Sequence, residues 1–168
     1  MFPACAVQID LGFIIDQSTS ISSAGGAGNW DFILNAVEQI IASFPIGPTR
    51  TRVGMVRFAS TAELTFSFTQ YSSASPLINK VSSLSLQGGE TNYAGAYIVA
   101  NSQMFSGRRT GVKTIAIMIT DGVPNVDVEN TFVPINVTKN LDIEIFAIGV
   151  GTGVSNYKAM IISKKSSI

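Results

Sequence analysis

Strand-like and helix-like hydrophobic patterns alternate along the chain. Residues 7–15 begin with alternating polar and apolar positions and end fully apolar, as is typical of a strand entering a sheet covered on both faces. Residues 29–44 predict an amphipathic helix, with Asn29 as its cap and Pro45 after its end. Its apolar face comprises Trp30, Ile33, Leu34, Val37, Ile40, Ile41 and Phe44.

The next part of the chain predicts a hairpin and two helices. Residues 53–59 and 62–68 are strand-like runs with a two-residue connection, which suits an antiparallel pair. Ser75 followed by Pro76 predicts the N-cap and first position of a helix, and Thr91 opens another. The apolar positions of these two helices are Leu77, Ile78, Val81 and Leu84, and then Ala94, Tyr97, Ile98 and Met104.

The last third contains two more strand-like runs, residues 113–120 and 144–150, and a short helical pattern at residues 156–163. Strands that alternate with helices indicate a sheet with helices on both faces. We therefore predict one doubly wound α/β domain over residues 1–168, with a mostly parallel sheet and one antiparallel edge hairpin. A weaker helix between the last two strands is predicted to bury Val133, Val137 and Leu141.

Composition narrows the chemistry more than the fold. The 168 residues include 11 basic and 11 acidic side chains, a formal charge of zero, no histidine and one cysteine. Charged residues make up 13%, about half the usual share, whereas serine and threonine number 19 and 13. Polar chemistry therefore rests on oxygen atoms.

These absences exclude several kinds of site. Without histidine there is no Ser-His-Asp triad and no His-ligated zinc, and one cysteine cannot form an internal disulfide. Balanced charge gives no overall attraction to nucleic acid or to an anionic membrane. No apolar run approaches the ~20 residues of a membrane helix, and the first residues lack a signal-peptide pattern. We expect no nucleic-acid partner and no membrane insertion.

Oxygen-bearing side chains follow two of the predicted strands. Asp16 comes directly after the first strand and Asp121 after a later one, and open α/β sheets bind ligands beyond the carboxyl ends of their strands. Ser18 and Ser20 follow Asp16 at spacings that let the three side chains converge in a tight loop. Thr91, after two glycines, adds a third hydroxyl.

Two carboxylates and three hydroxyls make a hard, all-oxygen site, which suits Mg²⁺, Mn²⁺ or Ca²⁺ and not zinc or copper. Mg²⁺ fits best because it takes few carboxylates and keeps positions for water or an external oxygen. Each residue also has an ordinary alternative, since an aspartate after a strand is often a turn or cap residue. The joint arrangement of three segments favours the metal site.

The sequence around these residues matches a known pattern. It resembles the metal-ion-dependent adhesion site of von Willebrand factor type A domains, also called integrin I-type domains. The similarity runs from about Val7 to the end of the chain and includes residues 45–54 and 145–151. The strings that carry it are Asp16-Gln17-Ser18-Thr19-Ser20, Gly88-Gly89-Glu90-Thr91-Asn92 and Thr120-Asp121-Gly122.

The resemblance implies a Rossmann-like fold and a role for each site residue. Ser18 and Ser20 would ligate the cation directly, and Thr91 directly or through water. Asp16 and Asp121 would act mainly through water or through hydrogen bonds to the hydroxyls.

The resemblance also implies a function. In this family the open coordination position of the cation typically receives a carboxylate from a protein partner. We therefore expect a non-enzymatic, divalent-cation-dependent binding module whose partner presents an acidic side chain. The stretches are most similar to the extracellular-matrix branch, with collagen-, matrilin- and cochlin-like proteins, which implies an extracellular location.

The resemblance is incomplete at the carboxyl end. Family members usually continue with one more strand and a long C-terminal helix, so we expect a truncated domain with an open sheet edge. Cys5 lies where many members pair with a cysteine near the C-terminus, and its partner would belong to the missing part. The alternative is an idle or buried thiol.

Other functions fit the sequence less closely. The domain is a structural matrix-assembly module if its contacts do not need the metal. A Mg²⁺-dependent phosphotransferase on a similar fold would use Asp16 as its nucleophile, but no lysine lies in the motif strings to hold a phosphate. Asn136 begins a glycosylation sequon, which matters only for a secreted chain.

Overall fold

A computed structural model describes residues 8–23 and 28–150, and the structural statements below concern these residues. They form one sheet in the order β3-β2-β1-β4-β5. All neighbouring strands are parallel except the antiparallel hairpin of β2 and β3 at one edge. The strands are β1 (Ile9–Asp16), β2 (Thr51–Phe58), β3 (Ala62–Phe66), β4 (Lys113–Thr120) and β5 (Glu144–Gly149).

Helices connect the strands and cover both faces of the sheet. The last turns of α4 continue as a π-helical turn, Ala100–Met104, and a 3-10 turn, Phe105–Gly107. Another 3-10 turn, Val128–Asn130, precedes α5. The α-helices in the described ranges are α1 (Thr19–Ser23), α2 (Gly28–Ala42), α3 (Ala74–Ser82), α4 (Tyr93–Val99) and α5 (Phe132–Asn140).

The sheet separates two hydrophobic cores because successive side chains of a strand point to opposite faces. Leu11, Phe13 and Ile15 of β1 pack with α2 and α3 on one face. Ile14 packs with α4 and α5 on the other face. The predicted doubly wound fold, with its mostly parallel sheet and edge hairpin, is therefore confirmed.

The buried face of α5 differs from the prediction. Val133 and Val137 are 63% and 45% exposed, and the buried residues of the helix are Pro134, Ile135 and Thr138. Asn101 explains this orientation, because its side chain donates to the Pro134 carbonyl at 2.8 Å and accepts from Thr138 Oγ1 at 2.7 Å. The spacing of the valines is correct for a helix. However, the hydrogen bonds to Asn101, in the π-helical turn that continues α4, turn a different face of α5 towards the core.

The prediction that Ile98 is buried was also wrong, because this side chain is 55% exposed. The buried positions Tyr93, Tyr97, Ala100 and Met104 follow a helical repeat that leaves Ile98 one position off the core-facing stripe.

Helix starts were predicted less accurately than helix positions. The helix α3 begins at Ala74 with Ser73 as its N-cap, so Ser75 and Pro76 lie inside its first turn. The helix α2 begins at Gly28, which places Asn29 after the start instead of at the cap. No pattern predicted the short helix α1. The predicted helix at residues 156–163 and Cys5 lie outside the described residues.

A strip of small residues crosses the centre of the sheet. Gly12 of β1 pairs with Gly54 of β2 and with Ala116 of β4. Met104 and Phe105 pack directly over the strip, so a Cβ atom added at Gly12 would lie 2.8 Å from both side chains. The glycine leaves the space that these two large residues occupy.

Gly12→Ala is therefore expected to lower the free energy of unfolding by about 1–3 kcal/mol, because the core has no room for the methyl group. Gly107→Ala is the matched control, since no atom lies within 4 Å of its added Cβ atom. We expect the control to change stability by less than about 1 kcal/mol. Urea unfolding measures both variants, and equal effects would contradict the packing argument.

The outer strand β5 carries apolar side chains that the described residues do not cover. Phe146 and Ile148 are 44% and 39% exposed. They lie beside Ile117 and Ile119 of β4, on the same face as α2. Among residues 8–23 and 28–150, no helix has the length and apolar character that a membrane span needs.

Candidate metal centre

Two neighbouring parallel strands deliver the carboxylates of the site. The strand β1 ends at Asp16, and β4 ends one residue before Asp121. Ile15 pairs with Ile119 across these strands, so Asp16 lies beside Thr120 at the carboxyl edge of the sheet. From this edge the chain continues from β1 towards β2 and from β4 towards β5, in opposite directions. Such a switch point opens a crevice where doubly wound sheets bind ligands.

The first serines are held by a turn that Asp16 itself stabilises. Asp16 Oδ1 accepts a hydrogen bond from the Ser18 backbone N–H at 2.9 Å. Ser18 Oγ lies 2.9 Å from Ser20 Oγ, which brings the two hydroxyls together. The predicted loop is in fact the entry to α1, because Ser20 lies in its first turn.

Ser20 closes the site across the chain. Its hydroxyl donates to Asp121 Oδ1 at 2.9 Å, linking segments separated by about a hundred residues. Asp16, Ser18, Ser20 and Asp121 thus form one hydrogen-bonded group, so the structure brings together four of the five predicted site residues.

The segment of Thr91 docks against the same loop through backbone contacts. Thr19 N–H donates to the Gly89 carbonyl at 2.9 Å, and Gly89 N–H donates to Thr19 Oγ1 at 2.8 Å. Gly88 and Gly89 have φ angles of 80° and 118°, which other residues rarely adopt. The pair of glycines therefore allows this close approach.

Thr91 itself is 5% exposed, and its backbone N–H donates to Asn125 Oδ1 at 2.7 Å. In the described part of the chain its hydroxyl has no hydrogen-bond partner. Thr91 is therefore the only one of the five predicted residues that is not hydrogen-bonded through its side chain to another of them in this part of the chain.

The site contains two buried carboxylates that have no basic partner among residues 8–23 and 28–150. Asp16 and Asp121 are 0% and 4% exposed, and neither forms an ion pair with any described basic side chain. The sequence explains why: residues 1–49, 81–107 and 114–138 contain no lysine or arginine, and these stretches supply the whole site. Burial, and then the neighbouring Asp121 carboxylate, raise the pKa of Asp16, although hydrogen bonds from Ser18 and Thr120 act against this.

The opposite edge of the sheet shows the contrasting case. Asp10 is also 0% exposed, but it accepts hydrogen bonds from the guanidinium groups of Arg52 and Arg109. The shortest N–O distance in each ion pair is 2.8 Å. Within the part of the chain that the structure describes, Asp10 is thus neutralised by basic side chains, and the two carboxylates at the site are not.

Three residues of the site were not predicted to have a role there. Thr120 Oγ1 donates to Asp16 Oδ2 at 2.6 Å and lies 2.9 Å from the Tyr93 hydroxyl. Asn125 joins Glu90 to Thr91 by accepting from the Thr91 N–H and donating to the Glu90 carboxylate. Only Thr120, which adjoins Asp121, had a sequence signal; Tyr93 has the pattern of a core residue and Asn125 that of a loop residue.

These observations fit a divalent cation. Buried charges in proteins are usually paired with an opposite charge or coordinate a metal. Among the described residues, no three His, Cys, Asp or Glu side chains lie together in a way that could hold a metal ion. The hydroxyls are therefore needed to complete a ligand set. Two carboxylates and three hydroxyls supply only oxygen atoms, which Mg²⁺, Mn²⁺ and Ca²⁺ accept.

Comparison with known proteins gives a consistent result. Residues 10–167 match the family model of the von Willebrand factor type A domain. Human vitrin is 31% identical over 146 residues, which cover 87% of this chain and 20% of vitrin. The collagen alpha-1(XXI) chain of Xenopus laevis is 32% identical over 158 residues, which cover 94% of this chain and 16% of the collagen chain. The chain thus spans a fifth or less of the length of these two curated relatives.

A similar fold occurs in a thread matrix protein from the mussel byssus. Proximal thread matrix protein 1 matches with a TM-score of 0.86 and 27% identity, over 95% of this chain and 40% of that one. A second structure of that protein, with 26% identity, has zinc in its metal-ion-dependent adhesion site motif. The expectation that such a site disfavours zinc therefore does not hold for this mussel protein.

Proposed function

The chain belongs to the von Willebrand factor type A domain family, and on that basis we propose that it is a divalent-cation-dependent protein-binding module. The observation that carries this proposal is the pair of buried carboxylates, Asp16 and Asp121, that no described basic side chain neutralises. Because an uncompensated buried charge is costly, we expect a cation bound between the loops to stabilise the folded domain.

We propose a metal set of Asp16, Ser18, Ser20, Thr91 and Asp121. Ser18 and Ser20 are positioned as direct oxygen ligands because a turn and the helix α1 hold their hydroxyls together. The Thr91 hydroxyl, which has no hydrogen-bond partner among the described residues, is a third oxygen ligand, used directly or through water. The two carboxylates hold the hydroxyls and supply the negative charge.

When bound, the cation supplies a Lewis-acidic position for an anionic oxygen of the partner. Mg²⁺ is the first candidate, with Mn²⁺ and Ca²⁺ as alternatives, because all three prefer oxygen ligands. The proposed partner is a protein that presents an acidic side chain, on a cell surface or in the extracellular matrix. A collagen chain among the relatives and a thread matrix protein among the similar structures support the matrix as the location.

Binding is favoured over phosphate transfer by the state of Asp16. Its two oxygens accept hydrogen bonds from the Ser18 N–H and the Thr120 hydroxyl, and the residue is 0% exposed. A nucleophile must reach its substrate with a free oxygen. Asp16 is therefore better placed to organise the site than to attack a phosphate.

The proposal is tested by titrating the protein with Mg²⁺ and with Mn²⁺ in a calorimeter. A panel of peptides that each contain one glutamate is then added, with the glutamine version of each as its control. We expect cation binding in the absence of peptide and a preference for glutamate peptides that EDTA abolishes. Absence of cation binding contradicts the proposal. Self-association that resists EDTA, measured by sedimentation, favours the structural-module alternative.

Acidification is expected to weaken cation binding at a higher pH than an exposed carboxyl group would require. The pKa of Asp16 is raised above its ordinary value of 3.8, and protons compete with the cation for this carboxylate. In EDTA, where no cation is bound, protonation of Asp16 has the opposite effect: it stabilises the fold as the pH falls. The folded chain then binds the Asp16 proton more tightly than the unfolded chain, so this residue destabilises the fold above its raised pKa and the loss disappears as the pH falls towards 3.8.

Thermal unfolding between about pH 7 and pH 4, with Mg²⁺ and with EDTA, separates the two effects. Asp16→Asn is the reference because it has no charge to titrate at this position. Wild-type and Asp16→Asn profiles that run parallel in both solutions would contradict the assignment to Asp16.

A further inference from the structure

A buried tyrosine joins the segments that form the site. Tyr93 is the first residue of α4 and is 1% exposed. Its hydroxyl donates to the Gly122 carbonyl at 2.6 Å and lies 2.9 Å from Thr120 Oγ1. Thr120 Oγ1 in turn lies 2.6 Å from Asp16 Oδ2. One hydroxyl therefore connects α4 to the segments of both carboxylates.

The ring of Tyr93 is held in place by packing. It meets Phe58, the last residue of β2, edge to face, with a centroid distance of 5.7 Å and an interplanar angle of 86°. Because the ring is buried in the core of α4 and α5, the hydroxyl has little freedom to move away from the site. A fixed hydroxyl positions its partners, whereas a mobile one would follow them.

The number of hydroxyl hydrogens restricts these contacts. Three short contacts join Asp16 Oδ2, Thr120 Oγ1, the Tyr93 hydroxyl and the Gly122 carbonyl, but Thr120 and Tyr93 have one hydroxyl hydrogen each. When Thr120 donates to the Asp16 carboxylate, the single hydrogen of Tyr93 serves either Thr120 or Gly122. The Tyr93 hydroxyl therefore serves one acceptor at a time: it donates either to the Gly122 carbonyl of the turn that follows Asp121 or to Thr120 Oγ1 beside Asp16.

We propose that Tyr93 is a positioning residue of the metal site, which sets cation affinity by anchoring the Gly122 turn and by supporting Thr120 beside Asp16, with its one hydroxyl hydrogen serving one of these two acceptors at a time. The inference rests on the proposed function, because it concerns the same site. Tyr93 lies outside the five proposed ligands and acts on them through Thr120 and Gly122.

The chain supplies a matched control one turn further along the same helix. Tyr97 is also fully buried, but the described contact of its hydroxyl is with Met118 Sδ at 3.6 Å. Tyr97→Phe therefore removes an equally buried hydroxyl that does not touch the site. Tyr93→Phe and Tyr97→Phe differ in connection to the site and not in chemistry.

Calorimetric titration with Mg²⁺ and Mn²⁺ compares the two variants with wild type. We expect Tyr93→Phe to weaken cation affinity by about tenfold or more, and Tyr97→Phe to change it by less than about twofold. Urea unfolding in EDTA should show both variants folded, so that the difference in affinity is not a loss of structure. Unchanged affinity in Tyr93→Phe, or equal weakening in both variants, would overturn the proposal.

A second measurement tests the route through Thr120. If Tyr93 acts through Thr120, then combining Tyr93→Phe with Thr120→Val weakens the cation affinity little more than Thr120→Val alone. Additive losses would show that Tyr93 acts on the site without Thr120 and would overturn the Thr120 part of the proposal, which leaves the Gly122 turn as its one route.

Amide hydrogen exchange in EDTA gives a readout that does not depend on the cation. We expect faster exchange at Asp121 and Gly122 in Tyr93→Phe than in Tyr97→Phe, because the turn loses its anchor. Equal exchange rates count against the positioning role. If wild type binds no cation, the proposed function fails together with this inference. If wild type binds the cation and Tyr93→Phe binds it with the same affinity, only the inference about Tyr93 fails.

Discussion

Replacing Asp121 with alanine is expected to abolish binding of Mg²⁺ while the domain stays folded. The change removes one of two buried carboxylates and also the acceptor that holds the Ser20 hydroxyl at 2.9 Å. Loss of a supporting contact alone typically costs a metal site 10–100-fold in affinity, so losing charge and contact together should cost at least about 100-fold. Calorimetric titration with Mg²⁺ and Mn²⁺ measures this change.

The difference in stability between Asp121→Ala and wild type should be small in EDTA and large in Mg²⁺. In EDTA the variant should be about as stable as wild type, because the change also removes a negative charge close to the buried Asp16. In Mg²⁺ only wild type should gain stability, by about 2.7 kcal/mol when the cation concentration is 100 times its dissociation constant. Thermal unfolding in both solutions tests this difference.

Asp142→Asn is the charge-matched control for this experiment. Asp142 is exposed and lies two residues before the start of β5, at the end of the sheet opposite to the site. The substitution Asp142→Asn removes one negative charge, as Asp121→Ala does, but leaves the site untouched, so cation binding should not change. Wild-type affinity in Asp121→Ala, or equal losses in the two variants, would contradict the assignment of Asp121.

Asp10→Asn is expected to lower the free energy of unfolding by about 3–5 kcal/mol. Asp10 is fully buried, and its carboxylate faces Arg52 and Arg109, whose side chains are only 11% and 19% exposed. Neutralising the carboxylate leaves two guanidinium groups without a counter-charge. The loss therefore exceeds that of an ordinary hydrogen bond.

The control for Asp10 is an exposed ion pair. Lys113 Nζ lies 2.9 Å from the Glu144 carboxylate, and both side chains are more than a third exposed. Lys113→Gln should cost no more than about 1 kcal/mol because solvent screens the pair. Urea unfolding in EDTA measures both variants. An effect of Asp10→Asn as small as that of Lys113→Gln would contradict the prediction, because it would mean that water solvates the two guanidinium groups.

The pH dependence of the Asp10 contribution has a defined sign. Burial alone would raise the pKa of Asp10, but the hydrogen bonds and charge of Arg52 and Arg109 outweigh it and hold the pKa below 3.8. The contribution is therefore present above that value and is lost as the pH falls through the lowered pKa. Acid affects Asp10 and Asp16 in opposite directions in the metal-free protein.

Most of the fold could be predicted because its elements follow local patterns. The helix α2 shows this best: five of the seven predicted core positions are buried, and Ile40 and Phe44 pack at the edge. The orientation of α5 could not be predicted, because Asn101 selects its buried face and lies more than thirty positions away. A local repeat does not contain that information.

The carboxylates and hydroxyls of the site could be predicted from their places after the strands. Sheet topology then brings Asp16 and Asp121 to one edge, as the parallel strand order requires. Tyr93 could not be predicted, because an aromatic residue at a helical core spacing gives no sign that its hydroxyl reaches Thr120. The pairing of Asn125 with Thr91 likewise depends on how two distant loops meet.

The lack of a basic partner for Asp16 and Asp121 among the described residues also affects how quickly a protein partner is found. Without a cation, these two carboxylates repel an approaching carboxylate. A bound divalent cation offsets the charge of Asp16 and Asp121 and removes much of that repulsion. Cation loading should therefore speed association as well as slow dissociation, and the gain in association rate should shrink as added salt screens the charges.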